Sequence, residues 1–205
     1  MLESIVIFQI IILVFSIVIH EFSHGWMANY LGDPTAKYAG RLTLNPMAHL
    51  DLWGSFLIPF MLVIVGSPVL FGWAKPVPYN PYNLKNQKYG PALVGLAGPG
   101  ANFLVAIIFG LALRFLITQG INSTLIPFFS IIVLINIILA VFNLVPIPPL
   151  DGSKILSLFI PPSLNEVFER YGLVLLIFFI FFALPIIFPI ISGIYGLIVG
   201  QSLAF

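Results

Sequence analysis

Long apolar runs recur along this chain and leave few folds open to it. Residues 4–19, 52–65, 92–117 and 125–145, and a stretch from residue 173 onward broken by Pro185 and Pro189, are almost free of charge. A hydrocarbon core about 30 Å thick asks for about 20 apolar residues in a helix, because in lipid each backbone polar group must be satisfied within its own segment. Residues 92–117 and 125–145 meet that length. Residues 52–65 fall short of it and read as tilted, interfacial or re-entrant, and the tail reads as one kinked helix or two short ones. Composition agrees: 60% of the 205 residues are hydrophobic and 7% charged, against about 25% charged in soluble domains. An all-α polytopic membrane protein is expected.

Residues 4–19 could pass for the core of a cleavable signal peptide. Glu3 stands where Lys or Arg is expected, no small-residue cleavage site follows, and the run leads into the most chemically loaded residues of the chain. It is expected to stay as a membrane helix, within one integral membrane domain spanning residues 1–205. A net charge of +1 offers no field for nucleic acid. With no cysteine, thiolate zinc sites, disulfides and cysteine nucleophiles are excluded, so any metal must be held by His, Asp, Glu or water.

At the end of the first run the chain reads His20-Glu21-Phe22-Ser23-His24. Histidines four apart on a helix share one face about a turn apart, close enough for both to reach one zinc ion. Glu21 lies between them, where a carboxylate takes a proton from water polarised by the metal, which is hydrolytic chemistry. An ionisable cluster in an apolar helix is costly in lipid, which argues against an accidental pentad.

Catalytic zinc takes three protein ligands and a water. His49, Asp33, Asp51, Asp151, Glu166 and Glu169 are the remaining donors, and no third histidine follows His24 at the extended zincin spacing. Asp151 is the strongest. It closes the stretch Asn143-Leu144-Val145-Pro146-Ile147-Pro148-Pro149-Leu150-Asp151-Gly152, where prolines unwind a helix end and Gly152 permits a close backbone approach. Its alternative reading is a helix cap at the membrane surface. A lone histidine is more often structural, so His49 is left outside the ligand set.

The pentad and the 143–152 segment together resemble the site-2 proteases. The resemblance also takes in Gly40-Arg41-Leu42-Thr43-Leu44-Asn45-Pro46, His49-Leu50-Asp51, Gly72-Trp73-Ala74-Lys75-Pro76-Val77-Pro78 and Ala97-Gly98-Pro99-Gly100-Ala101-Asn102, in the manner of the compact branch that lacks PDZ or CBS domains. It implies a helical core with a short membrane-associated β-hairpin or re-entrant region between the first and next core helices. It also implies an intramembrane zinc metalloprotease that cuts peptide bonds within or near transmembrane segments of membrane-protein substrates. Carried over residue by residue, His20, His24 and Asp151 would be zinc ligands, Glu21 the base, and Asn143 a polar group near the substrate backbone.

Read from the residues alone, Asn143 serves either the scissile peptide and its oxyanion or a plain interhelical hydrogen bond. Residues 95–102 carry small residues at four-residue spacing and are expected to serve helix packing. Trp26, Trp53 and Trp73 fit an interfacial aromatic belt. Gly32-Asp33-Pro34 reads as a turn and residues 39–44 as a short strand, while Pro76, Pro78 and Pro81 mark an extended segment. Residues 39–44 and 72–79 would then be offered to an unwound substrate by strand addition.

Topology adds a constraint. If 92–117 and 125–145 pair antiparallel, residues 25–90 must begin and end on the metal's side, so 52–65 is expected to dip in and return. Lys37, Arg41, Lys75, Lys85, Lys88, Lys154 and Arg170 then share that side, against Arg114 near the other. The positive-inside rule makes the metal side of this multi-pass cell-membrane protein cytoplasmic. Two rival functions remain open: a zinc-binding membrane protein or transporter, and a catalytically silent scaffold or chaperone for transmembrane helices. The first would show several acids and histidines along a path, and the second has no use for Glu21.

Overall fold

The computed structural model describes residues 2–51, 75–121 and 124–202, together with residues 54, 57, 61, 64 and 65. Among these the regular structure is entirely helical. Helix α1 is Leu2–Tyr30, α2 Thr35–Tyr38, α3 Gly90–Thr118, α4 Leu125–Asn143, α5 Gly152–Leu156 and α6 Pro162–Val199. Three of them are long and apolar enough to cross a bilayer: Ile5–Tyr30, Gly90–Thr118 and Leu125–Asn143, of 26, 29 and 19 residues. The chain is a membrane protein. Its bundle turns Ile7, Ile10 and Phe15 of α1, Leu104, Ile108 and Phe115 of α3, and Phe178, Phe181 and Phe182 of α6 outward, an apolar exterior that suits lipid and would be a liability in water.

Three sets of contacts fix the helix directions. Val94 meets His24 and Asn102 meets Ser16, so α3 runs antiparallel to α1. Asn102 meets Asn136 and Phe109 meets Phe129, so α4 runs antiparallel to α3. Phe8 meets Phe128 and Ser16 meets Asn136, so α1 and α4 are parallel and release their C-terminal ends at the same end of the bundle. Residues 31–89 therefore leave and return at that one end, as the parity argument requires. The expected dip at 52–65 lies mostly outside the described residues, as do Trp53 and Trp73.

Helix α6 begins at the end where α4 finishes, with Gly172 against Pro148, and finishes at the far end, with Gly200 against Arg114. Its two arms, Pro162–Phe182 and Pro185–Val199, meet at 73°. Pro185 and Pro189 cannot donate to the helix ladder and crowd the preceding turn, which accounts for a bend there. The tail is thus one strongly kinked helix. Its second arm packs Ile187, Ile191, Tyr195 and Val199 against Ala106 and Leu113 of α3 and Val133 and Ile137 of α4, forming the main apolar core.

The expected β-hairpin is not found among the described residues, and the strand reading of 39–44 is corrected. Ala39 follows directly on α2, Gly40 turns the chain at φ +67°, and Arg41 N–H donates back to the Ala36 carbonyl at 2.9 Å. The Thr43 carbonyl accepts from His49 Nε2 at 2.8 Å, and Thr43 Oγ1 accepts from Asn45 N–H at 3.2 Å. These backbone groups are satisfied locally, in a helix-end turn. The Gly32-Asp33-Pro34 turn is present, with Gly32 at φ +107°. Residues 75–80 are irregular and end in extended backbone at Asn80, and a 3-10 turn follows at Pro81–Asn83.

Candidate metal centre

Helix α1 carries His20 ten residues short of Tyr30, about 15 Å along the axis from that end, so the pentad lies within the apolar span. His20 and His24 point into the bundle, while the loop after α4 swings Asp151 back onto them. The loop turns tightly enough to do this because Gly152 has no side chain: a Cβ there would lie 2.5 Å from the Val145 carbonyl. Asp151 sits at the N-cap position of α5 but makes no side-chain cap bond, so the cap reading is not realised. Its Oδ2 lies 3.1 Å from His20 Nε2 and 3.0 Å from His24 Nε2, and the two Nε2 atoms are 3.0 Å apart. All three residues are buried. Gly98 makes room for the pair, since a Cβ at that position would fall 2.6 Å from His20 Nε2.

Hydrogen bookkeeping decides what this cluster can hold. His24 Nδ1 lies 2.6 Å from the Val94 carbonyl, which can only accept, so Nδ1 carries the proton and Nε2 a lone pair. His20 Nδ1 lies 2.6 Å from Asn102 Oδ1 and donates likewise. In the neutral rings three lone pairs, two from imidazole and one from carboxylate, then converge with no hydrogen between them. Such an arrangement asks for a cation. A tetrahedral zinc with ligands at about 2.0–2.1 Å would separate them by roughly 3.3–3.4 Å, within a few tenths of an ångström of the observed spacing. Nδ1–H bonds to a carbonyl and an amide are also how metal-binding histidines are usually oriented.

Around the cluster lies a cavity of about 160 Å³ lined by His20, Glu21, His24, Pro76, Val77, Tyr79, Asn143, Pro149, Asp151 and Lys154. That is room for a few waters, each taking about 30 Å³ in the liquid. Glu21 is half-buried, and its Oε2 accepts from Val77 N–H at 2.8 Å. Asn143 donates from Nδ2 to the Leu139 carbonyl of its own helix at 2.9 Å, rather than across to another helix. Lys154 donates to Asp151 Oδ1 at 2.8 Å.

Among the other donors weighed, His49 is buried and holds the Thr43 carbonyl through Nε2, away from the cluster. Asp33 organises the turn after α1, taking the Asn80 N–H on Oδ2 at 2.6 Å and the Thr35 hydroxyl and Asn83 amide on Oδ1. Asn102 does more than pack, since it carries the bond to His20. Sequence reasoning passed over Ser16 and Asn136 and read Lys154 only as one of the positive charges on the metal side. Two signals were available: Ser16 lies four residues before His20 on the same helix face, and Asn136 is an amide in an otherwise apolar helix, seven residues before Asn143.

The sequence model of peptidase family M50 matches residues 8–125 and 113–184 of the chain. "Putative zinc metalloprotease YwhC" of Bacillus subtilis is 36% identical over 196 residues, covering 89% of this chain and 83% of that protein. "Putative zinc metalloprotease Rip2" of Mycolicibacterium smegmatis is 29% identical over 155 residues, covering 76% of this chain and 56% of that protein. "Zinc metalloprotease MJ0392" of Methanocaldococcus jannaschii is 25% identical over 146 residues, covering 71% of this chain but 32% of that longer protein. No solved structure matches the chain.

Proposed function

The chain belongs to peptidase family M50, and from that premise we propose that it is an intramembrane zinc metalloprotease built as one integral membrane domain, hydrolysing peptide bonds within or near transmembrane segments of membrane-protein substrates. The observation that carries this reading is the meeting of the His20, His24 and Asp151 lone pairs beside Glu21, inside an apolar bundle. These three residues would hold the zinc. When bound, zinc supplies a Lewis acid and lowers the pKa of a water to about 7.

The remaining steps fall to side chains of the chain. Glu21, anchored through Oε2 by Val77, takes the proton from the attacking water and passes it to the leaving amine. Asn143 lies on the cavity wall, where an amide donor serves the carbonyl oxygen as it gains charge. The surrounding helices exclude lipid and bulk water, which strengthens each of these interactions. The substrate must arrive unwound, because a helical segment has its peptide groups locked in hydrogen bonds. The basic residues near the metal end, among them Lys37, Arg41, Lys85 and Lys88, against Arg114 at the other, favour a cytoplasmic metal side. Labelling of a single cysteine at Lys85 only from outside the cell would refute that orientation.

The test is cleavage of a model transmembrane substrate by purified protein in detergent, with zinc content measured alongside. Wild type should cut and stop cutting when a chelator removes the metal. Glu21→Gln should keep zinc and lose about 10²–10⁴-fold in rate, while Asp151→Ala should lose zinc and activity together. Wild type that holds zinc but cuts nothing would overturn the protease reading in favour of a scaffold.

A further inference from the structure

Behind His20 lies a buried polar chain that touches neither substrate space nor the metal-facing atoms. Asn136 Nδ2 lies 2.9 Å from the Ile132 carbonyl and 2.9 Å from Ser16 Oγ. A carbonyl only accepts, so that atom is the amino group and Asn136 Oδ1 faces the other way, toward Asn102. Asn102 Nδ2 donates to Asn136 Oδ1 at 2.9 Å and to the Ser16 carbonyl at 3.2 Å. Asn102 Oδ1 is thereby turned to His20 Nδ1, 2.6 Å away. Orientation thus runs from two backbone carbonyls through two side-chain amides to one imidazole proton, and Ser16, Asn102 and Asn136 are all buried.

The two histidines differ in what holds them. His24 meets the Val94 carbonyl, which cannot reverse its role. His20 meets an amide, and a flipped amide would present NH₂ to Nδ1, drive the ring proton onto Nε2 and block the lone pair facing Asp151. We propose that Asn136 and Ser16 are positioning residues that lock the Asn102 amide and, through it, hold His20 in the tautomer whose Nε2 is free for metal. The proposal rests on the metal reading of the site. It uses neutral groups only, so the lock costs far less in an apolar bundle than a buried carboxylate in place of Asn102 would.

The chain has 3 histidines, so ring-nitrogen NMR on ¹⁵N-histidine-labelled, zinc-free protein resolves each one. At alkaline pH, where the rings are neutral, wild type should show His20 and His24 protonated on Nδ1 and His49 on Nε2, the last because it donates to the Thr43 carbonyl. Asn136→Leu should turn His20 into a tautomer mixture, leave His24 and His49 unshifted, and weaken zinc binding about 10–100-fold in a chelator competition. In an Asn102→Leu background the same substitution should weaken zinc no further. An unshifted His49 signal certifies that the variant is folded. A folded Asn136→Leu with wild-type His20 tautomer and wild-type zinc affinity would overturn the proposal. So would wild-type His20 protonated on Nε2, a result independent of whether any variant folds. Wild type with the expected tautomers that binds no zinc would instead refute the metal reading and leave the lock standing.

Discussion

Lys154 Nζ lies 2.8 Å from Asp151 Oδ1, the carboxylate oxygen that does not face the histidines. Its stem crosses Gly95, where an added Cβ would lie 3.1 Å from Lys154 Cδ, and its ammonium stands 5.5 Å from the Tyr79 ring centroid. With Oδ1 engaged by Lys154, Oδ2 is the oxygen that Asp151 turns to the two histidines, and on the proposed reading it is the one that would face the metal. Lys154→Met keeps the stem and removes the charge. We expect zinc affinity to fall about 10–100-fold, the usual effect of losing a partner behind a ligand. A chelator competition on the purified variant measures it, and an unchanged affinity would reduce Lys154 to a surface contact.

Gly98 is needed for space and not for backbone freedom, since a Cβ added there would fall 2.4 Å from His24 Nε2 and 2.6 Å from His20 Nε2. Gly98→Ala should leave helical content by circular dichroism unchanged, because alanine suits a helix better than glycine. The new methyl must displace one or both imidazoles. Displacement of about 1 Å at a reacting centre costs about 100-fold in rate, so cleavage should fall by that order with loss of zinc. Full activity in Gly98→Ala would mean that α1 and α3 can part at no functional cost.

Much of this arrangement was legible in the sequence, and its illegible parts share a cause. Helix periodicity put His20 and His24 on one face, the pentad pattern pointed to Glu21 between them, and the Pro-rich stretch before Asp151 signalled a chain leaving its helix. The strand reading of 39–44 failed because Gly40 and the Ala36 carbonyl close a local turn, so that the N–H groups of Ala39, Gly40 and Arg41 bond back to the α2 segment. Asn102 was read as packing because small neighbours at helical spacing mask an amide among them. Asn136 acquires meaning only from Asn102, thirty-four positions away, and no local pattern encodes such a pairing, whereas Lys154, three residues after Asp151, was within reach of a local pattern and was read only as a positive charge on the metal side.

Val77 ties residues 75–80 to Glu21, the proposed base, through its backbone N–H, at 2.8 Å from Glu21 Oε2. A hydrogen bond to a charged group contributes about 1.5–3 kcal/mol, which corresponds to roughly 10–100-fold in rate if it is needed at the transition state. Val77→Pro removes that donor and should lower the cleavage rate by this factor with zinc retained, while Val77→Ala, which keeps the N–H, should stay near wild type. Equal activities in the two variants would show that the segment holds Glu21 by packing and not by this bond.

Asp33 gives the fold a pH dependence of known sign. Burial pushes its carboxyl up, but the Thr35 hydroxyl, the Asn83 amide and the backbone N–H groups of Asn80 and Thr35 together outweigh that and hold it below the ordinary carboxylate range. A depressed folded-state pKa means that its contribution is fully present above about pH 4, the unfolded value, and is lost as pH falls through the folded one. The unfolding temperature of the detergent-purified protein should therefore decline below about pH 4. Asp33→Asn should flatten part of that decline. It should also cost about 1–3 kcal/mol at neutral pH, because an amide cannot accept both the Asn80 N–H and the Thr35–Asn83 set, and a buried donor is left unpaired. A variant with wild-type stability at pH 7 and an unchanged acid limb would show that the turn after α1 is held by its backbone bonds alone.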